Sequence, residues 1–197
     1  MDKVNEFEHG IDTATKTRSD SLRFDSLSNE QFRHVSSDEL LTTKKGKKAF
    51  RDMIETFFSL QRKRLRVLAS YAQGDNYSIL AGSRRLDKEK ADYRVRHKWG
   101  GYISSFATSY VIGNPVTVGI LEGAEEEQLK VIEEIEWQND INSLNSDLAF
   151  DASVYGRAFE YHFRDKDNVD RVVLISPLEM FVIRDLTVEQ NIIAAVH

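Results

Sequence analysis

The stretch Asp151-Ala152-Ser153-Val154-Tyr155-Gly156-Arg157-Ala158-Phe159-Glu160-Tyr161-His162-Phe163-Arg164 changes its apolar period halfway along. Ahead of Gly156, Leu144, Leu148 and Ala152 recur at helical spacing and predict a helix over 141–155. Beyond it, Arg157, Phe159, Tyr161 and Phe163 alternate with Ala158, Glu160, His162 and Arg164, which is the period of a strand. Gly156 stands at the changeover, where a residue without Cβ lets the chain turn out of the helix. Asp165-Lys166-Asp167-Asn168 then supplies turn residues, and Arg171–Ile175 reads as a second strand. Ser176-Pro177 breaks it, Met180–Ile183 reads as a third, and Ile192–Val196 as a last. An apolar strand at that position leaves a bare edge. The expected cover is a strand from another subunit or from sequence outside this one.

Upstream the pattern is helical. Ser36 followed by Glu39 makes a capping box that opens the ordered chain. From Phe50, the residues Ile54, Phe57, Leu65 and Leu68 recur at spacings of four, three, eight and three, predicting one helical stripe to about Tyr71, which Gly74 ends. Trp99, Ile103, Phe106 and Tyr110 share one side of a helix expected over Asp92–Ile112, and Gly113-Asn114-Pro115 stops it. Leu129, Ile132 and Ile135 place a further helix over 125–139, meeting the next near Asn139-Asp140. Residues 1–37 are poor in apolar residues and are expected to be a poorly ordered polar arm. Residues 38–197 are expected to form one α+β domain, long helices followed by a small, mostly antiparallel sheet.

The sequence has 197 residues, no cysteine, and 27 Lys and Arg against 32 Asp and Glu, for a net charge of −5. Disulfide frameworks, thiolate metal sites and thiol nucleophiles are excluded. So is a bulk positive field of the kind that drives indiscriminate DNA binding. No apolar run has signal-peptide or membrane-spanning length, so an intracellular setting without a membrane partner is expected. In that setting the Asn76-Tyr77-Ser78 glycosylation triplet is a chance match.

A search for chemistry yields no catalytic residue, metal site or cofactor site. Gly46-Lys47-Lys48 lacks the glycine and the Ser or Thr that a phosphate loop needs. His9, His34, His97, His162 and His197 are scattered, with no pair at ligand spacing. Ser153 lies outside any G-x-S-x-G turn, leaving a hydrolase with an unfamiliar site as the weakest reading. The carboxylates Glu125, Glu126, Glu127, Glu133, Glu134 and Glu136 read as a solvated helix face. Between Lys44 and Arg66, Lys44, Lys45, Lys47, Lys48, Arg51, Arg62, Lys63, Arg64 and Arg66 face only Asp52 and Glu55. That helix could meet DNA, as in a DNA-binding regulatory protein, or an acidic neighbouring subunit, or simply water.

A set of segments now resembles a known family. Tyr71-Ala72-Gln73-Gly74, Tyr110-Val111-Ile112-Gly113-Asn114-Pro115-Val116, Gln138-Asn139-Asp140, Asp151–Glu160 and Ser176-Pro177-Leu178-Glu179-Met180-Phe181-Val182-Ile183 resemble, in order and spacing, tailed-bacteriophage portal proteins of the SPP1 type. Together they cover about residues 40–197. The resemblance implies a virion subunit of the head–tail connector ring, a dodecamer in the full-length family, through which double-stranded DNA is packaged and ejected. It implies no enzyme and no cofactor. Its implied partners are further copies of the chain, terminase, scaffold or capsid protein and a head–tail adaptor, met in the host cytoplasm during assembly. The part resembled corresponds to the family's amino-terminal wing, with stem, clip and crown to follow, so a truncated product or a fragment is expected. Within the resembling segments, Gly74, Gly113, Pro115, Tyr155, Gly156, Arg157 and Pro177 are expected to shape turns and packing, with Tyr155, Phe159 and the adjoining Tyr161 packing the sheet against the helices. Arg157 would pair with Asp151 or Glu160, or reach a neighbouring subunit.

Overall fold

The computed structural model of the chain describes residues 31–76, 91, 93–120 and 126–197. Along it run β1 (Phe32–Arg33), α1 (Ser37–Thr42), α2 (Lys44–Thr56), a π-helical turn (Phe57–Gln61), α3 (Arg62–Gln73), α4 (Trp99–Ile112), α5 (Glu126–Asn139), α6 (Ile141–Tyr155), β2 (Phe159–Arg164), β3 (Asp170–Ile175), β4 (Phe181–Arg184) and β5 (Ile192–Val196). The fold is α+β. Its strands are shared between a three-stranded sheet ordered β1-β4-β5 and the β2-β3 hairpin. The polar arm up to residue 30, Tyr77 and Ser78 of the glycosylation triplet, Asp92 and Glu125 lie outside the described residues. The chain divides into two compact units, Met1–Arg64 with Phe181–His197, and Leu65–Met180.

In the first unit β4 is the central strand, parallel to β1 and antiparallel to β5. Its inward residues Phe181 and Ile183 are buried. The Phe181 ring lies 4.9 Å from those of Phe57 and Phe32, so one aromatic side chain joins the helical segment to the sheet. Ser36 caps α1 by accepting from the Glu39 amide at 3.2 Å, and Thr43 caps α2 by accepting from the Gly46 amide at 2.9 Å. Gly46 is buried where α2 crosses α1: a Cβ there would collide with the Glu39 carbonyl oxygen and lie 2.7 Å from Leu40 Cα. This close approach is why a glycine precedes Lys47-Lys48. The β4–β5 loop is tied by Asp185, whose carboxylate accepts from the Thr187 hydroxyl at 2.6 Å and from the Asn191 amide at 3.1 Å.

The long stripe expected from Phe50 to Tyr71 is interrupted. The π-helical turn inserts at Phe57–Gln61, burying Gln61 beside Phe57 on the helix face where an apolar residue is the rule. In the second unit α4 starts at Trp99, seven residues beyond the expected start. Asn76 Nδ2 donates to the His97 carbonyl at 2.6 Å, and Arg96 meets Asp75 at 3.3 Å. These contacts hold the segment ahead of Trp99 against the end of α3. Asn76, the first residue of the triplet, is buried with its amide engaged in this way.

The β2–β3 hairpin closes on Asp165, whose Oδ1 accepts from the amides of Asp167 and Val169, while Asn168 takes φ +63°. Arg164 pairs with both oxygens of Asp170, and Arg171 with Asp165. Tyr161 was expected to pack the sheet against the helices, and it does not. It stacks on Phe163 at 5.6 Å and stays 52% exposed, because α5 and α6 lie against β3.

Three carboxyls in or beside the strand-joining loops sit below the ordinary Asp range. Hydrogen bonds from the Val169 amide and Arg171 do this for Asp165, the Arg164 pairing for Asp170, and the Thr187 hydroxyl and Asn191 for Asp185. A carboxyl lowered by folding contributes stability above its unfolded pKa, and the contribution is lost as pH falls through the folded value. The thermal midpoint is therefore expected to drop as pH is lowered from about 4. Asp185→Asn, which keeps an acceptor but cannot titrate, is expected to show a shallower drop in the same pH series. An unchanged slope would contradict the assignment.

Candidate functional site

Helix α4 carries no charged residue and has two unlike faces. The inward face is built from small residues: Gly101 and Ser104 are buried. A Cβ on Gly100 would lie 3.0 Å from the Tyr71 carbonyl oxygen, and one on Gly101 would collide with the Ala72 carbonyl oxygen. The end of α3 therefore packs backbone to backbone on the start of α4. Farther along, Ser153 Oγ on α6 donates to Ser104 Oγ at 3.1 Å, linking two helices that lie side by side. With Gly and Ser inside, the large residues have nowhere to go but out. Trp99, Tyr102, Ile103, Phe106, Tyr110 and Val111 are between 59% and 85% exposed, and Trp99 and Tyr102 meet edge to face at 5.8 Å. Of these, Trp99, Tyr102, Ile103, Phe106 and Tyr110 share one uncharged aromatic and aliphatic side of the helix, the kind of surface that marks an interaction site.

The residues singled out in the sequence fall at the ends of elements. Gly74 follows α3 with φ +84°, and the Asp75 amide donates to the Ser70 carbonyl at 2.8 Å. Gly113 caps α4 with an ordinary helical φ of −68°, and Pro115 follows on an exposed segment. Tyr155 ends α6 half-buried, its hydroxyl pushed up by burial and by neighbouring Asp151. Gly156 has φ +73°, and its amide donates to the Ala152 carbonyl at 2.9 Å, which satisfies a terminal carbonyl of α6. Arg157 is half-buried at the start of the turn into β2. Pro177 is buried in the turn after β3, where the Glu179 amide donates to the Ser176 carbonyl.

The basic residues do not share one environment. Lys44, Lys45, Lys47 and Lys48 are exposed on α2. Past the π-helical turn, Arg62 is half-buried with its guanidinium 5.1 Å from the Phe58 ring centroid, Arg64 is half-buried, and Lys63 and Arg66 are exposed. Gly46 serves the α1–α2 crossing, not a phosphate cradle. The Ser153 hydroxyl is committed to Ser104. Among the described residues no cluster of His, Asp or Glu is arranged to hold a metal ion, and no helix is long and apolar enough to cross a membrane.

One site residue escaped the sequence reading as an individual. Asn139, the last residue of α5, donates through Nδ2 to the Asp170 carbonyl at 2.9 Å and accepts at Oδ1 from the Val172 amide at 3.0 Å. Its amide thus stands in for a strand partner along the outer edge of β3. Asp140 behind it takes φ +47°, which turns the chain directly into α6. Asp151, half-buried on α6, has its carboxyl raised by burial and by the Asp147 charge one turn away.

Comparison with protein-family models matches residues 53–197 to the model described as phage portal protein, SPP1 Gp6-like. No curated protein matches the chain.

Replacing Asn139 removes both bonds to the β3 edge. Asn139→Ala is expected to destabilise the protein by about 1–3 kcal/mol in urea unfolding, because the Val172 amide and Asp170 carbonyl lose their partners. Asn139→Asp is expected to be no better, since a carboxylate accepts from Val172 but repels the Asp170 carbonyl. Wild-type stability in both variants would show that Asn139 does not hold the hairpin.

Proposed function

The chain belongs to the SPP1 Gp6-like family of phage portal proteins, and from that premise we propose that it is a wall subunit of the ring through which double-stranded phage DNA is packaged and ejected. Portal proteins are structural components of the bacteriophage head–tail connector. The supporting observation is the outer face of α4. Large apolar residues held outward by a small-residue inner face suit a subunit that another protein surface covers.

On this reading the work of the chain is geometric. Gly74, Gly113 with Pro115, Gly156 with Tyr155 and Arg157, and Pro177 re-aim the backbone between the helices and strands of the second unit. The subunit is placed in the virion as one of a dodecameric ring, after assembly in the host cytoplasm. Terminase, scaffold or capsid protein and the head–tail adaptor are its partners there. ATP turnover belongs to the packaging motor, so this chain needs no nucleophile, metal or cofactor for its role. The exposed basic residues of α2 are available to a polyanion or to an acidic protein surface.

Gold-labelled antibody against the chain, applied to opened phage heads in the electron microscope, is expected to mark a single vertex of each head. Label spread over all vertices, or found only on material outside the heads, would contradict the portal role.

A further inference from the structure

Helix α5 presents an unpartnered face of unusual composition. Trp137 is 82% exposed and Val131 58% exposed. Lys130, Glu133, Glu134 and Trp137 follow one another at helical spacing along the solvent side. Gln138 Nε2 donates to Glu134 Oε1 at 3.0 Å, fixing that carboxylate in the turn that carries the indole. An exposed indole beside carboxylates suits a cationic helix: the acids pair with the charges, and the ring accepts a Lys or Arg on its face.

The same chain offers such a helix. On α2, Lys44, Lys47, Lys48 and Arg51 repeat at the same spacing, all exposed. Each face carries the opposite charge at one end, Lys130 on α5 and Glu55 on α2. No ion pair to another described residue engages these groups. Among the described residues both faces are therefore open, and they are complementary between two copies of the chain.

We propose that the acidic, Trp137-centred face of α5 docks on the basic face of α2 of the adjacent copy. Two different surfaces meet, so a head-to-tail assembly keeps one free acidic and one free basic face after every step. Repeated head to tail from copy to copy, such a contact extends the assembly past a dimer, and on the portal reading it closes into the ring. The proposal rests on the portal reading and adds to it which faces meet. Trp137 supplies the desolvated centre, and the charges set register and direction.

Sedimentation velocity on the full chain at low salt tests this with charge reversals at exposed positions. Glu133→Lys with Glu134→Lys, and separately Lys47→Glu with Lys48→Glu, are each expected to weaken self-association at least about tenfold. All four substitutions in one chain are expected to restore it, which also shows that the reversed chains fold. Trp137→Ala is expected to weaken association about tenfold without altering helix content. A wild-type chain that stays monomeric, or a fourfold variant no better than either pair, overturns the contact. Assembly beyond dimers that ignores both reversals overturns the contact and leaves the ring reading standing. Assembly that stops at a twofold dimer overturns both. If the Lys47 and Lys48 reversal abolishes salt-dependent binding to duplex DNA and spares self-association, the basic face reads phosphate and the proposal falls.

Discussion

The backbone contact between the end of α3 and the start of α4 is the constraint on which the second unit depends. Gly100 and Gly101 leave no room for a Cβ against the Tyr71 and Ala72 carbonyls. Ser104 then continues the thin face and bonds to Ser153 of α6. Helices that touch through glycine and serine gain little from apolar burial, so their association relies on close packing and a few hydrogen bonds. The hydrophobic side chains of α4 are left to another surface. An isolated subunit bears that exposure as a cost, which assembly would remove on the portal reading.

The hairpin shows the same economy. Two strands alone are marginal, and β3 would be left with unpaired backbone groups on its outer edge. Asn139 supplies the missing partner from the end of a helix, while Asp165 closes the turn and Arg164, Asp170 and Arg171 brace the tip. The first unit uses a different device, an aromatic cluster of Phe32, Phe57 and Phe181 that binds helix to sheet. Local hydrogen bonds hold the hairpin tip and the β4–β5 loop, and apolar contact holds the centre of the first unit.

Much of the fold was legible because its signals are local. Ser36 caps where the capping box places it, Ile192–Val196 is a strand at its expected bounds, and the change of period after Gly156 marks the passage from α6 to β2. Other features depend on contacts distant in sequence. Periodicity identified Trp99, Ile103, Phe106 and Tyr110 as one side of a helix. It could not say that this side faces outward, because the buried side consists of Gly and Ser, which carry no hydrophobic signal. The late start of α4 is set by Asp75 and Asn76, and β1 exists only through pairing with β4. Gln61 is buried by a π-helical turn that no spacing rule anticipates. Asn139 sat within a recognised segment, yet its bonds to β3 are visible only in three dimensions. The family was legible from whole segments, since glycine, proline and aromatic residues at turns keep their order even where single positions say little.

The outer face of α4 decides whether the subunit is made to be covered. Hydroxyl-radical footprinting of Tyr102, Phe106 and Tyr110, in the isolated chain and in assembled phage heads, measures that directly. The account predicts rapid oxidation of all three in the isolated chain and strong protection of at least Tyr102 and Phe106 in the head. Equal oxidation in both states would contradict it, because a face that stays wet in the assembled head is not an interface.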